Sequence, residues 1–249
     1  MSSSSDLAPR TAVITGGGTG IGRAIARQLA GDGYTVIVVG RRSGPVRQVA
    51  EELGGIAVKA DLSDPDDVER AASTISGAVE VVDALVLNAG GADRGPVTSV
   101  HEVAAHWQRV IEQNIFTAVL FEHAMRPHLR RPGGRIVVVG STASLGGGAD
   151  VAYAAAKAAL NRWVVTLGSQ VGREGMTANL IAAGFVPDTE LYGGGLDPEW
   201  TAKITRGIAV GRAGTPEDVA VGVAWLVSPQ ASWTNASMIV IDGGSTLNR

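Results

Sequence analysis

Seven short runs rich in β-branched residues recur along the chain, at residues 11–15, 35–39, 56–60, 84–87, 135–139, 178–181 and 237–241. Each is apolar at nearly every position, and each predicts a buried strand. Between them lie longer segments with apolar residues at helical spacing. This alternation predicts a parallel sheet covered by helices on both faces, a doubly wound α/β fold. A helix over 21–29 is predicted directly after the first strand, and Asp64-Pro65 and Thr215-Pro216 each put a capping side chain before a helix-starting proline. Glycine clusters at 16–18, 146–148 and 193–195 each follow a predicted strand. They fall at what should be its carboxyl end, where open α/β sheets bind ligands.

Length and composition narrow the organisation. A chain of 249 residues with 45% hydrophobic and 18% charged residues can bury a sizeable core. After residue 10 no linker, charge block or repeat interrupts the pattern, which predicts a flexible serine-rich tail over 1–10 and a single domain over 11–249. Lys and Arg total 21 against 24 Asp and Glu, a net charge of −3, so no broad basic field draws in nucleic acid or anionic lipid. With no cysteine, disulfides, thiolate nucleophiles and cysteine zinc sites are excluded. No run approaches ~18 apolar residues, and residues 1–10 lack the apolar stretch of a secretory signal. The expectation is a cytoplasmic protein with neither a membrane nor a nucleic-acid partner.

Chemistry first shows in Thr15-Gly16-Gly17-Gly18-Thr19-Gly20-Ile21-Gly22, the turn from the first strand into the first helix. Glycines there let the backbone approach a pyrophosphate, while the helix N-terminus offers free N–H groups and a positive dipole end. The spacing Gly16-x-x-x-Gly20-x-Gly22 differs from G-x-G-x-x-G, and a merely tight strand-helix turn is the competing reading. At the end of the second strand an acid usually holds the adenosine ribose. This chain reads Val39-Gly40-Arg41-Arg42 instead. Guanidiniums suit a 2′-phosphate that a carboxylate would repel, so Arg41 and Arg42 point to NADP(H).

Tyr153-Ala154-Ala155-Ala156-Lys157 lies in an alanine-rich stretch that should be helical. The i, i+4 spacing sets phenol and ammonium on one face, where the cation is expected to lower the tyrosine pKa for acid/base work. A core tyrosine beside a solvated lysine is the alternative. Ser141 is expected just beyond the fifth strand, and Asn114 in the helical segment before that strand. With the glycine loop and Asn88-Ala89-Gly90 after the fourth strand, this set resembles the short-chain dehydrogenase/reductase family of the compact single-domain type, over residues 11–244. Gly211-Arg212-Ala213-Gly214-Thr215-Pro216 and Ile241-Asp242-Gly243-Gly244 resemble its 3-oxoacyl-acyl-carrier-protein reductase branch.

The resemblance implies a Rossmann-type sheet and NADPH-dependent reduction of a ketone, β-ketoacyl or related, to an alcohol by hydride transfer. Tyr153 would be the general acid, Lys157 would lower its pKa and hold the nicotinamide ribose, Ser141 would bond the substrate oxygen, and Asn114 would hold a water leading to Lys157. Asp61 and Leu62 would contact adenine, Asn88, Ala89 and Gly90 would brace the sheet beside the cofactor, and the loop with Gly184 and Val186 would meet the nicotinamide. A homotetramer is also implied, with the helices around Asn114 and Tyr153 and the last strand at interfaces. Two departures stand out: Ala183-Gly184 replaces a usual Pro-Gly, and Thr234-Asn235-Ala236 replaces a usual Thr-Gly segment. Reduction of C=N or C=C on the same scaffold, and a non-catalytic NADP(H) sensor, are the alternative functions.

Residues 191–206, with a glycine hinge and Trp200, read as a substrate lid or as a simple surface helix. Pocket candidates are residues 91–94, Ser144, Leu145, Phe185 and Tyr192. His101 and His106 are five apart, about 140° around a helix, so they do not form a zinc-protease pair and no metal site is expected. Asn235-Ala236-Ser237 matches a glycosylation acceptor, but without a secretory signal it should not be used. Gly140-Ser141-Thr142-Ala143-Ser144 is not a hydrolase elbow. Arg126, Arg130 and Arg131 suit either an acidic carrier protein or, preferably, a solvated helix end.

Overall fold

A computed structural model of the chain describes residues 10–93, 97–146, 150–193 and 195–248. The serine-rich tail before Arg10, and Arg94, Gly147, Gly148 and Gly194 among the loop candidates, lie outside these residues. Strands β1 (Thr11–Thr15), β2 (Thr35–Gly40), β3 (Ile56–Lys59), β4 (Ala84–Leu87), β5 (Arg135–Ser141), β6 (Thr177–Ala183) and β7 (Met238–Ile241) form one parallel sheet. Its order is β3-β2-β1-β4-β5-β6-β7. The doubly wound fold expected from the sequence is therefore present. Its direction of winding reverses between β1 and β4, and ligand clefts open at the carboxyl ends of such switch points.

Apolar runs rather than alternation mark these strands because both faces of the sheet are covered. Val13, Ile37, Leu85, Ile136 and Val138 face one core with Phe121, Met125, Leu160 and Leu167. Their neighbours Ile14, Val36, Val86 and Val137 face the other, with Ile25, Leu29, Val219 and Val223. The first core is closed by α3 (Pro65–Ala78), α5 (Thr117–Met125) and α7 (Val151–Gly172), the second by α1 (Gly20–Gly31), α2 (Ser43–Leu53) and α9 (Pro216–Val227). The remaining helices are α4 (Val100–Ile111), a short α6 (Ala143–Gly146) and α8 (Pro198–Arg206). Among the described residues, no helix is long and apolar enough to cross a membrane.

Both proline-marked helix starts occur where expected. Asp64 accepts from Asp66 N at 2.9 Å and Asp67 N at 3.2 Å, and Thr215 forms a reciprocal capping box with Asp218. Ser99 and Glu102 make a third such cap, at α4. Strand ends differ slightly from the apolar runs. β5 continues to Ser141 because Ser141 pairs with Ala183 in β6, so this serine ends the strand rather than following it. Between α4 and α5 the helix widens into a π turn, Glu112–Phe116, which contains Asn114.

Candidate active site

The carboxyl ends of the strands open on a cleft of about 1780 Å³. Small-molecule pockets typically measure roughly 300–1,000 Å³, so this larger space admits an extended ligand beside a smaller one. Gly16, Thr19, Gly20, Ile21, Arg41, Arg42, Asp61, Leu62, Asn88, Ala89, Gly90, Gly184 and Val186 line it, as do Ser141, Tyr153 and Lys157. Gly22 and the fully buried Asn114 stand behind its wall.

At one end, β1 turns into α1 through Gly16 and Gly20, at φ +63° and +51°, conformations that disfavour side chains. A Cβ on Gly22 would lie 2.2 Å from Gly16 O, so the loop closes only on glycine. Thr19 occupies the N-cap of α1 with no side-chain capping bond, leaving the first N–H groups of the helix without a side-chain acceptor. Thr15 Oγ1 accepts from Asn88 N and Ala89 N, both at 2.9 Å, and Asn88 Nδ2 donates to Thr15 O at 3.0 Å. The loop after β4 is thereby stitched to the glycine turn.

The two arginines at the end of β2 differ. Arg42 Nη2 lies 2.7 and 2.5 Å from the two carboxylate oxygens of Glu190, whose Oε2 also accepts from Thr19 Oγ1 at 3.2 Å. This pair straps the β2 end to the segment after β6. Arg41 has no hydrogen bond or ion pair among the described residues. The sequence treated the two as equivalent; the strap leaves Arg41 as the available cation.

At the other end, Tyr153 and Lys157 sit on α7, with Lys157 Nζ 5.6 Å from the centre of the Tyr153 ring. Lys157 is buried, and its Nζ donates to Val139 O at 3.2 Å. Asn114 Nδ2 donates to Gly91 O at 2.8 Å and Val110 O at 3.0 Å, while Oδ1 accepts from Gly91 N at 3.3 Å. Its amide thus clasps both backbone groups of Gly91. A Cβ on Gly90 would fall 2.8 Å from Asn114 Oδ1 and 3.2 Å from Lys157 Nζ, so the two side chains converge on the same point. The structure brings all four catalytic candidates to one end of the cleft.

Residues 16–246 match the family described as Enoyl-(Acyl carrier protein) reductase. The chain belongs to the short-chain dehydrogenase/reductase family. It is 34% identical over 238 residues to the 3-oxoacyl-[acyl-carrier-protein] reductase MabA of Mycobacterium tuberculosis, covering 94% of this chain and 92% of that one. The short-chain reductase protein NovJ of Streptomyces niveus is 33% identical over 246 residues, with 94% and 92% covered. Among solved structures, a short chain dehydrogenase from Burkholderia cenocepacia in complex with NADP superposes with a TM-score of 0.85 at 31% identity, covering 95% and 98% of the two chains.

The proton affinities of this short-chain reductase are set mainly by burial. Desolvation pushes the Tyr153 phenol up to about 12, against a hydrogen bond with Ser141 that lowers it. Desolvation brings the Lys157 ammonium down to about 8. Ser141 supplies the lowering interaction, and the phenol keeps its proton.

Other sequence candidates are redistributed. Phe185 and Tyr192 line the cleft, with Trp200 against both: ring centres are 5.4 Å apart for Phe185–Tyr192, 5.5 Å for Phe185–Trp200 and 6.3 Å for Tyr192–Trp200. Ser144 and Leu145 are not on the wall. Ser144 turns back to donate to Ser141 O at 2.6 Å and accept from Asn161 Nδ2 at 2.9 Å. Arg126, Arg130 and Arg131 precede β5, at the end of the sheet opposite the cleft, and pair with Glu122, Asp83 and Glu174.

The departures from the family pattern also have structural counterparts. Gly184 N donates to Ile241 O at 2.9 Å, so the loop leaves β6 still tied to β7. Ala236 stands at φ +55°, left-handed backbone that a glycine would adopt without strain. Sequence reasoning missed Glu190 and Asp150, took Asp93 only as one of the pocket candidates over 91–94, which lines the cleft, and took His106 only as a failed metal ligand. Asp150 carries a local signal as the N-cap of α7, whereas the pairings of Glu190 with Arg42 and of Asp150 with His106 join residues distant in sequence.

Proposed function

We propose that this protein reduces a ketone to an alcohol with NADPH, Tyr153 acting as the proton donor. The convergence of Tyr153, Ser141, Lys157 and Asn114 at one end of a long cleft carries this reading. The cleft fits the cofactor on its own geometry: an α1 N-terminus without a side-chain cap, a turn that only glycine closes, and Arg41 with no counter-ion among the described residues. The α1 N-terminus and glycine turn would hold the pyrophosphate, and Arg41 the 2′-phosphate, with Arg42 joining only where Glu190 releases it.

When bound, the reduced nicotinamide supplies the hydride that converts C=O to CH–OH. Ser141 would orient the carbonyl oxygen by hydrogen bonding. Tyr153, protonated across the neutral range, would pass its proton to the oxygen as negative charge develops there. Lys157 would stabilise the phenolate that remains and hold the ribose of the cofactor. Asn114 would keep the Gly91 loop, one wall of the carbonyl site, in place.

The name of MabA puts 3-oxoacyl thioesters first among substrates, and the Phe185–Tyr192–Trp200 cluster suits an apolar acyl or aromatic group. The test is loss of reduced-nicotinamide absorbance, with NADPH and NADH in parallel, against 3-oxoacyl thioesters, cyclic and aromatic ketones, imines and enoyl thioesters. Turnover of a ketone with NADPH favoured over NADH is expected. Binding of NADPH with no turnover on any carbonyl would contradict the proposal, and selective turnover of an enoyl thioester would move it to C=C reduction.

A further inference from the structure

The geometry points to His106 as a positioning residue: an imidazolium that ties the loop after β4 to the first turn of the helix carrying Tyr153. The inference rests on the proposed role of Tyr153. His106, on α4 and buried, has Nδ1 3.2 Å from Asp93 Oδ2 and Nε2 3.1 Å from Asp150 Oδ1. Only the protonated ring has an N–H on both nitrogens; a neutral ring would turn one lone pair toward a carboxylate. Both bonds together therefore require the cation.

Each carboxylate leads to the site. Asp93 follows the Gly91 that Asn114 clasps, and it also takes Arg109 Nε at 2.7 Å. Asp150 is the N-cap of α7. The same Oδ1 that meets His106 accepts from Ala152 N at 2.9 Å and from Tyr153 N at 3.3 Å. Its other oxygen, Oδ2, is buried with no hydrogen-bond partner among the described residues. The charge of Asp150 acts on Tyr153, holding its proton more tightly, and His106 is the cation set against that charge. Among the described residues, the charged groups facing His106 are Asp93 and Asp150, with Arg109 behind Asp93. The bond to Asp150 raises the imidazole above its usual range, burial opposes this, and the bond to Asp93 adds to the rise.

The sign follows. Below its raised pKa His106 is charged and holds both loops; above it one bond is lost and the substrate wall loosens. The experiment compares wild type, His106→Gln, Asp93→Asn and Tyr153→Phe with acetoacetyl-coenzyme A from pH 5.5 to 9, alongside NADPH affinity and thermal midpoints. We expect wild-type kcat/KM to fall in a step above pH 6.5 that His106→Gln lacks. His106→Gln should sit roughly tenfold lower at pH 6 with NADPH affinity unchanged. In Asp93→Asn the step should move to lower pH, an effect that a merely structural histidine would not give. If Tyr153→Phe is inactive but His106→Gln follows wild type at every pH, the inference is overturned. Activity in Tyr153→Phe would instead overturn the reading of the site beneath it.

Discussion

Lys157 and Tyr153 stand one helical turn apart, and burial moves them in opposite directions: the ammonium down to about 8, the phenol up to about 12. For Lys157 this has a consequence for stability. Below pH 8 the folded protein carries a buried cation that the unfolded chain carries in water, a penalty on the order of 3 kcal/mol. Between pH 8 and 10.5, where the folded lysine is neutral and the unfolded one still charged, stability should rise. Lys157→Met removes the penalty, so at pH 7 the cofactor-free variant should melt roughly 6–12 °C above wild type, without the alkaline rise, by calorimetry across pH. Ala236 carries a separate strain at φ +55°. Ala236→Gly should stabilise by about 0.5–1 kcal/mol in urea unfolding, because a left-handed non-glycine residue costs about 1–2 kcal/mol and the glycine returns part of that as unfolded-chain entropy. Tyr153, Lys157 and Ser141 were readable as chemistry because their spacing on one helix and one strand end is local. His106 was not, since its partners lie 13 and 44 residues away.

At the scale of elements, the seven strands were legible because two-sided burial writes them as apolar runs, whereas their ends depend on pairing. β5 gains Ser141 through its register with Ala183. The π turn at Glu112–Phe116 was invisible: one widened turn barely disturbs the apolar spacing, yet it carries the Asn114 that clasps Gly91. The Arg42–Glu190 strap joins elements 148 residues apart, beyond any local pattern. The segment after β6 has the anchor expected of a lid, since Trp200 of α8 packs edge-on to Phe185 and near Tyr192. Such aromatic pairs contribute about 0.5–1.5 kcal/mol each. Trp200→Ala should therefore raise KM for the ketone by roughly tenfold, with a smaller change in kcat, in steady-state kinetics; equal KM values would make α8 a surface helix only.

For the whole molecule, the two sheet edges differ. β3 ends its row with the exposed Lys59, whereas β7 presents Met238 at 40% and Val240 at 38% exposure. Nearby, Val221 is 60% and Trp233 98% exposed. Charge protects a sheet edge from pairing, while bare apolar area of this kind invites a partner. We propose that β7 and α9 form one interface of a homotetramer, and that α4 and α7, with Val100 at 83% and Val151 at 72% exposure, form another. Light scattering after size exclusion should give four chain masses, and Val221→Glu with Val240→Lys should give a smaller species; a wild-type monomer would refute the assembly.

The most direct test of the catalytic account is NADPH oxidation by wild type and Tyr153→Phe on the same ketone, with NADPH affinity measured for both. The phenyl ring keeps most of the packing of the tyrosine and removes its hydroxyl, and with it the transferable proton and the hydrogen bond to Ser141. The account predicts equal NADPH affinity and a fall in kcat of roughly 10²–10⁴-fold in the variant. Turnover by Tyr153→Phe at the wild-type rate would contradict it.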